Sequence, residues 1–184
     1  KNDINEVLSK IQGITGRKSN LAITENILIK TTDSGISISA TDLETGFEGF
    51  YPAEVSGEGI IAVNASKFSD IIRNSPENEI LIDEIEKQWV KISIKNVEYN
   101  IVGMNPEDFP DIPQLTDIDF FEVDSDYLKK MIEKTILISA SSDEKRAHIL
   151  GVYLEIKDFE NEKKLRMIST DGKRLSKVDY VFNK

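Results

Sequence analysis

Cysteine is absent from the chain, which excludes disulfides and thiolate metal sites and fits a reducing cytosol. A single histidine, His148, stands among Ala147, Ile149 and Leu150, a setting that suits a structural imidazole better than a catalytic one. No metal-ligand constellation and no phosphate-cradling glycine motif accompanies it, so neither a metal nor another cofactor is expected. No apolar run approaches the length of a membrane helix, and no signal peptide opens the chain. Positive charge is also scarce: 23 Lys and Arg stand against 33 Asp and Glu, a net charge of −10. That balance argues against simple electrostatic adhesion to nucleic acid or anionic lipid. What remains is a 184-residue chain of ordinary hydrophobic content (39%), long enough for one large domain or two small ones with a real core.

The chain repeats itself. Ile36-Ser37-Ile38-Ser39-Ala40-Thr41-Asp42-Leu43-Glu44 returns loosely, 129 positions on, as Leu165-Arg166-Met167-Ile168-Ser169-Thr170-Asp171-Gly172-Lys173. Each copy is an alternating strand ending in Ser/Ala-Thr-Asp, and each follows an apolar strand, Ile27–Lys30 in one case and Val152–Glu155 in the other. Such self-similarity marks an architecture built by stacking one unit.

Helical spacing recurs as well. Asp3-x-x-Glu6 reads as a capping box before Ile4, Val7, Leu8 and Ile11. The same i, i+3, i+4 pattern appears at Phe68, Ile71 and Ile72 and again at Leu128, Met131 and Ile132. Between the helices the chain alternates as strand: Val90, Ile92 and Ile94 against Trp89, Lys91, Ser93 and Lys95, and Val152, Leu154 and Ile156 against Tyr153, Glu155 and Lys157. Asp33-Ser34-Gly35, Glu86-Lys87-Gln88 and Lys95-Asn96 supply turns. The pattern predicts an α+β fold made of units of about sixty residues, one helix followed by antiparallel strands, with the helices on one face of the sheets. Three prolines between Gly103 and Pro113 cannot continue a ladder and mark a boundary. The expectation is a first domain over 1–115 and half of a second over 116–184, opening with a strand at Phe120–Val123. With no initiator methionine before the first helix and only one unit after the boundary, the chain is expected to be clipped at its start and to end early.

Charge is distributed unevenly. Residues 2–12, 66–74 and 126–134, read as the helices, hold six basic residues (Lys10, Lys67, Arg73, Lys129, Lys130, Lys134) against five acidic ones, leaving −11 for the rest. Arg17-Lys18 and Lys145-Arg146 add basic pairs after the first and third helices. Lysines on solvated helix faces are commonplace. Their concentration on repeated helices also fits one surface that meets phosphate while the sheets carry the acidic charge.

Taken in order, Gly16-Arg17, Ala40-Thr41-Asp42-Leu43-Glu44, Asp108-Phe109-Pro110, Asp143-Glu144-Lys145-Arg146 and Thr170-Asp171-Gly172-Lys173-Arg174-Leu175 resemble the bacterial sliding clamp, the beta subunit of DNA polymerase III. The resemblance runs over essentially the whole chain. It implies the DNA-clamp fold: three similar domains of two helix-plus-strand halves, closed head to tail with a second subunit into a ring whose inner surface is helical. This chain would be the first domain, less its opening strand, and half of the second, with the third absent. Two positions depart from the family pattern: Ala22 stands where proline is common, and Lys173 where histidine is common.

The resemblance also implies roles and partners. Lys10, Arg17, Lys18, Lys67, Arg73, Lys129, Lys130, Lys134 and Arg146 would face double-stranded DNA. Ile149, Thr170, Gly172, Lys173, Arg174 and Leu175 would form part of a pocket for short motifs carried by the replicative polymerase, the clamp loader and repair factors. Tyr99 and Ile101 would lie at the interface of a homodimer, which this chain alone cannot close. The implied role is non-catalytic and cytoplasmic, at the nucleoid during replication. An enzyme using paired carboxylates, Asp42 with Glu44 on one strand face or Asp143 with Glu144, is the first competing reading. The second is an acidic α+β protein-interaction module that never meets DNA.

Overall fold

The computed structural model describes residues 2–15, 22–75, 79–86, 88–113, 120–138, 146, 149–159 and 162–182. The chain divides into two compact units, Lys1–Thr116 and Asp117–Lys184. The first contains α1 (Asn2–Thr15), a 3-10 turn (Ala22–Glu25), β1 (Asn26–Thr32), β2 (Gly35–Thr41), β3 (Gly46–Pro52), β4 (Ile60–Asn64), α2 (Ala65–Asn74), β5 (Leu81–Glu86), β6 (Trp89–Ile94) and β7 (Val97–Val102). A second 3-10 turn, Pro106–Asp108, follows. The second contains α3 (Ser125–Ile136), β8 (Tyr153–Phe159), β9 (Glu162–Thr170) and β10 (Leu175–Val181).

All three sheets are antiparallel, in the orders β3-β2-β1-β4, β5-β6-β7 and β10-β9-β8. Each helix is thus followed by a three-strand meander, and β4 joins the first meander at β1. The repeat is legible because hairpin connections need only a few turn residues. β1 pairs with β2 across Asp33-Ser34, and β6 with β7 across Lys95-Asn96.

In the first unit, α1 turns Val7, Leu8 and Ile11 inward, and α2 turns Phe68 and Ile72. They meet the inward rows of both sheets, Ile27, Ile29, Ile38, Ala40, Val90, Ile92 and Ile94, in one core. α2 starts where it does because the Asn64 side chain accepts from the Lys67 N–H at 3.0 Å, satisfying a donor that the first turn leaves open. On α1 the Glu6 side chain pairs with Lys10 at 2.7 Å, while the Asp3 side chain of the expected cap lies outside what the structure describes. Strand alternation places Leu28 and Ala62 on the opposite face of the first sheet, where Phe109 and Ile23 cover them. The proline-rich segment is therefore a seal on that face: Met104 bridges to Ala62, and Ile112 lies over Gly46.

In the second unit, Asp124 caps α3 by accepting from the Tyr127 N–H at 3.0 Å, and Met131 packs on Leu165 and Met167. One expectation fails here. Among the described residues none of Phe120–Val123 pairs with a strand, and Phe120 is 82% exposed. Leu154 and Ile156 are 49% and 39% exposed on β8, because α3 packs over β9 and β10.

Candidate functional site

Lys10, Lys67 and Arg73 sit on the outward sides of the first unit's two helices, whereas Lys30 and Lys91 lie on its strands. α1 packs beside α2, with Gln12 donating to the Ser69 hydroxyl at 3.5 Å. Lys10, Lys67 and Arg73 are all exposed, opposite Val7, Leu8, Phe68 and Ile72. Lys10 is tied to Glu6 one turn back, and that bond holds the Glu6 carboxyl below, and the Lys10 ammonium above, their ordinary values. Arg17 and Lys18 lie outside the described residues. On α3, Lys129, Lys130 and Lys134 are exposed, with the Lys130 ammonium 5.6 Å from the centre of the Tyr127 ring. These side chains can meet a polyanion without giving up a buried partner, and their exposure keeps any single contact weak.

The second element is the turn from β9 to β10. Thr170 Oγ1 donates to the Arg174 carbonyl at 2.8 Å and accepts from the Gly172 N–H at 3.0 Å. Asp171 Oδ1 accepts from the N–H groups of Lys173 and Arg174, both at 3.0 Å, and Oδ2 accepts from Arg174 Nε at 2.9 Å. Those backbone donors, more than the guanidinium, draw the Asp171 carboxyl down from 3.8 to about 2. Gly172 takes φ +84°, and a Cβ there would stand 2.8 Å from Arg146 Nη2. The guanidinium of Arg146, expected among the DNA-facing cations, thus lies against this turn.

The Ser169 hydroxyl donates to the Thr135 carbonyl, and that of Ser176 donates to Lys134 at 2.9 Å, stitching both flanking strands to the end of α3. Ile149 is buried, whereas Gly172, Lys173, Arg174 and Leu175 are exposed and Thr170 is half-exposed.

The first unit holds the same turn. Leu43 N–H donates to Thr41 Oγ1 at 3.0 Å, and Asp42 Oδ1 accepts from Glu44 at 3.1 Å and from Thr45 at 2.7 Å. Leu43, at φ +76°, stands where Gly172 does. Asp42 and Glu44 are therefore not a carboxylate pair on a strand face. Both lie in the turn beyond β2, and Asp42 is engaged with backbone. Asp143, Glu144, Lys145 and His148 lie outside the described residues, and among the described residues no cluster of His, Asp and Glu could hold a metal.

The third element is β7, which among the described residues pairs with β6 alone and ends the β5-β6-β7 sheet. Tyr99 is 38% exposed, while Ile101 is half-buried against the core of the first unit. A strand edge with exposed side chains is a template for pairing with another chain.

Residues 1–113 match the family model described as DNA polymerase III beta subunit, N-terminal domain. The chain belongs to that family. The beta sliding clamp of Chlamydia muridarum is 26% identical over 179 residues, covering 97% of this chain and 48% of the relative. The crystal structure of the polymerase beta subunit of Streptococcus pyogenes superposes with TM-score 0.89, over all of this chain and 49% of that one, at 22% identity. That of the Bartonella birtlesii sliding clamp bound to griselimycin gives TM-score 0.86 at 25% identity, covering 97% of this chain and 48% of that one. The chain spans about half the length of the beta clamps that it matches. The beta-subunit match ends inside the first unit, after the Asp108-Phe109-Pro110 segment that seals its sheet.

The Thr-Asp repeat was read as two strand ends, and the main actor of the turn was missed. Asp171 organises the β9–β10 turn through its backbone bonds, and its sequence signal was the matching aspartate at position 42.

Proposed function

We propose that this chain is part of a DNA sliding clamp, a non-catalytic processivity factor that encircles duplex DNA and tethers the replicative polymerase. The observation that carries the reading is the placement of charge. In a family member of net charge −10, Lys10, Lys67 and Arg73 stand exposed on the outer sides of two packed helices, with the sheets behind them. A protein that adhered to DNA would need tight pairing with many phosphates. A ring is linked to DNA by topology, and tight pairing would hinder sliding. A few exposed, screened cations suffice to centre the duplex without reading its sequence. Lys129, Lys130 and Lys134 would act likewise on α3, and Arg17 and Lys18 beyond α1.

The Thr170–Leu175 turn, with Ile149, is the proposed dock for short motifs of the polymerase, the clamp loader and repair factors. Arg146 is assigned to this dock, because its guanidinium lies on Gly172. Tyr99 and Ile101 on the open edge of β7 are the proposed homodimer contact. No described helix is long and apolar enough to cross a membrane, and the proposed place of action is the cytoplasm, at the nucleoid.

The test is charge reversal at Lys67 and Arg73 in the full-length protein. Loading onto primed DNA should fall at least about threefold, and more steeply as salt rises. Unchanged loading would favour an acidic protein-interaction module that does not bind DNA.

A further inference from the structure

The sheet of the second unit has an outward surface that the docking turn alone does not account for. Alternation puts Thr170, Ile168 and Arg166 of β9 on the face opposite buried Leu165 and Met167. Register then aligns three rows on that face. Thr170 lies opposite Leu175, Ile168 lies between Tyr153 and Lys177, and Arg166 lies between Glu155 and Asp179.

The third row is a closed ion network. Arg166 bonds Asp179 through two nitrogens at 2.7 and 2.9 Å, and its Nη1 is 3.7 Å from Glu155. The first two rows differ in kind. Leu175 is 61% exposed and Tyr153 60%, with Ile168 half-buried between them. Exposed lysines flank this apolar strip. Lys173 stands on the turn, and Lys177 makes one long contact, 3.7 Å, to an Asp179 already held by Arg166. Asp171, the acid of the turn, has both oxygens engaged by N–H donors of Lys173 and Arg174. In an otherwise strongly acidic chain, this apolar strip is bordered by Lys173 and Lys177 on the side of the turn and β10, and by the Arg166 network with Glu155 and Asp179 on the other.

We propose that the Leu175–Ile168–Tyr153 strip binds an extended acidic peptide. Its apolar side chains would rest on the strip and its carboxylates beside Lys173 and Lys177. The inference rests on the docking role of Thr170–Leu175 and extends that dock across the sheet. Leu175 and Tyr153 lie two strand spacings and one row apart, about 12 Å, so apolar anchors about four positions apart, which share one face of an extended peptide, would meet both. Tyr153 supplies a large, stiff apolar surface with a polar tip, suited to a partly wet contact. The lysines then select for acidic flanks, against the repulsion that the rest of the chain exerts on an acidic partner.

The experiment measures binding of the full-length protein to two labelled peptides by fluorescence anisotropy. Both carry Leu and Phe anchors; one has two flanking Asp residues, and the other has Asn in their place. The acidic peptide should bind more tightly by about threefold for each lysine engaged, with the gap closing in high salt. Lys173→Gln and Lys177→Gln should each narrow the gap and together abolish it, and Tyr153→Ser should weaken both peptides. Equal affinity for the two peptides, or a gap that survives both lysine substitutions, would overturn the proposal while leaving the docking turn intact. Preference for a short single-stranded oligonucleotide over the acidic peptide would also overturn it. Failure of both peptides to bind would overturn the docking role and this extension together.

Discussion

Gly172→Ala tests the turn from β9 to β10, the proposed dock, at its least forgiving atom. At φ +84° an L residue carries a cost of about 1–2 kcal/mol that glycine avoids. Stiffening the unfolded chain returns roughly 0.4–1 kcal/mol, so the backbone alone should lose about 0–1.6 kcal/mol, to which displacing Arg146 adds. The added methyl would also stand 2.8 and 3.0 Å from the two Arg146 Nη atoms, so the guanidinium must move off the turn. Gly151→Ala, in the same unit, is the control: its Cβ would meet nothing within 4 Å and its φ is not positive. It should be neutral or stabilise by up to about 0.5 kcal/mol. Amide hydrogen exchange of β9 and β10 reads both variants without requiring the two units to unfold together. Exchange should quicken about two- to tenfold in Gly172→Ala and not at all in Gly151→Ala. Equal or slower exchange in Gly172→Ala would refute the reasoning.

Further outcomes follow from the core and from the turn's acid. Phe68 is fully buried between α1 and the sheets, so Phe68→Ala should cost the first unit about 3–5 kcal/mol. Trp89, the chain's single tryptophan and part of β6, reports on that unit, and its urea midpoint should fall by about 1 M or more. Asp171 is drawn down to about 2, so its ionised form is the one the fold favours. Its contribution is fully present above 3.8 and is lost as pH falls toward about 2. A carboxyl carbon titration should show that low midpoint, and Arg174→Gln should raise it; a midpoint near 3.8 would contradict the hydrogen-bond assignment.

Much of the fold was legible because its elements obey local rules. Val90, Ile92 and Ile94 alternate in the sequence and are 0–2% exposed in the structure, while Trp89 points outward at 42%. The helices declared themselves by apolar spacing, and the Thr-Asp repeat announced two strand ends, which the structure closes with the same bonding. The failures had physical causes. Phe120–Val123 has strand composition, but a strand is defined by its partner, and composition cannot supply one. Asp42 and Glu44 looked like neighbours on one face because nothing local announces that a leucine will adopt φ +76°. Arg146 was placed among the DNA-facing cations by the resemblance, and the sequence does not say that its guanidinium lies against Gly172. The outer strip of Tyr153, Ile168 and Leu175 needs strand register to be seen at all.

The central claim is encirclement, and retention on DNA of altered topology tests it most directly. The full-length protein is loaded onto nicked circular DNA by its clamp loader, and the bound fraction is measured before and after the circle is cut to a line. The expected result is stable retention on the circle and loss on linearisation, as a ring slides off the ends. Equal retention on both forms would contradict the claim, since it would mean adhesive binding, and no retention on either would leave a protein that does not hold DNA.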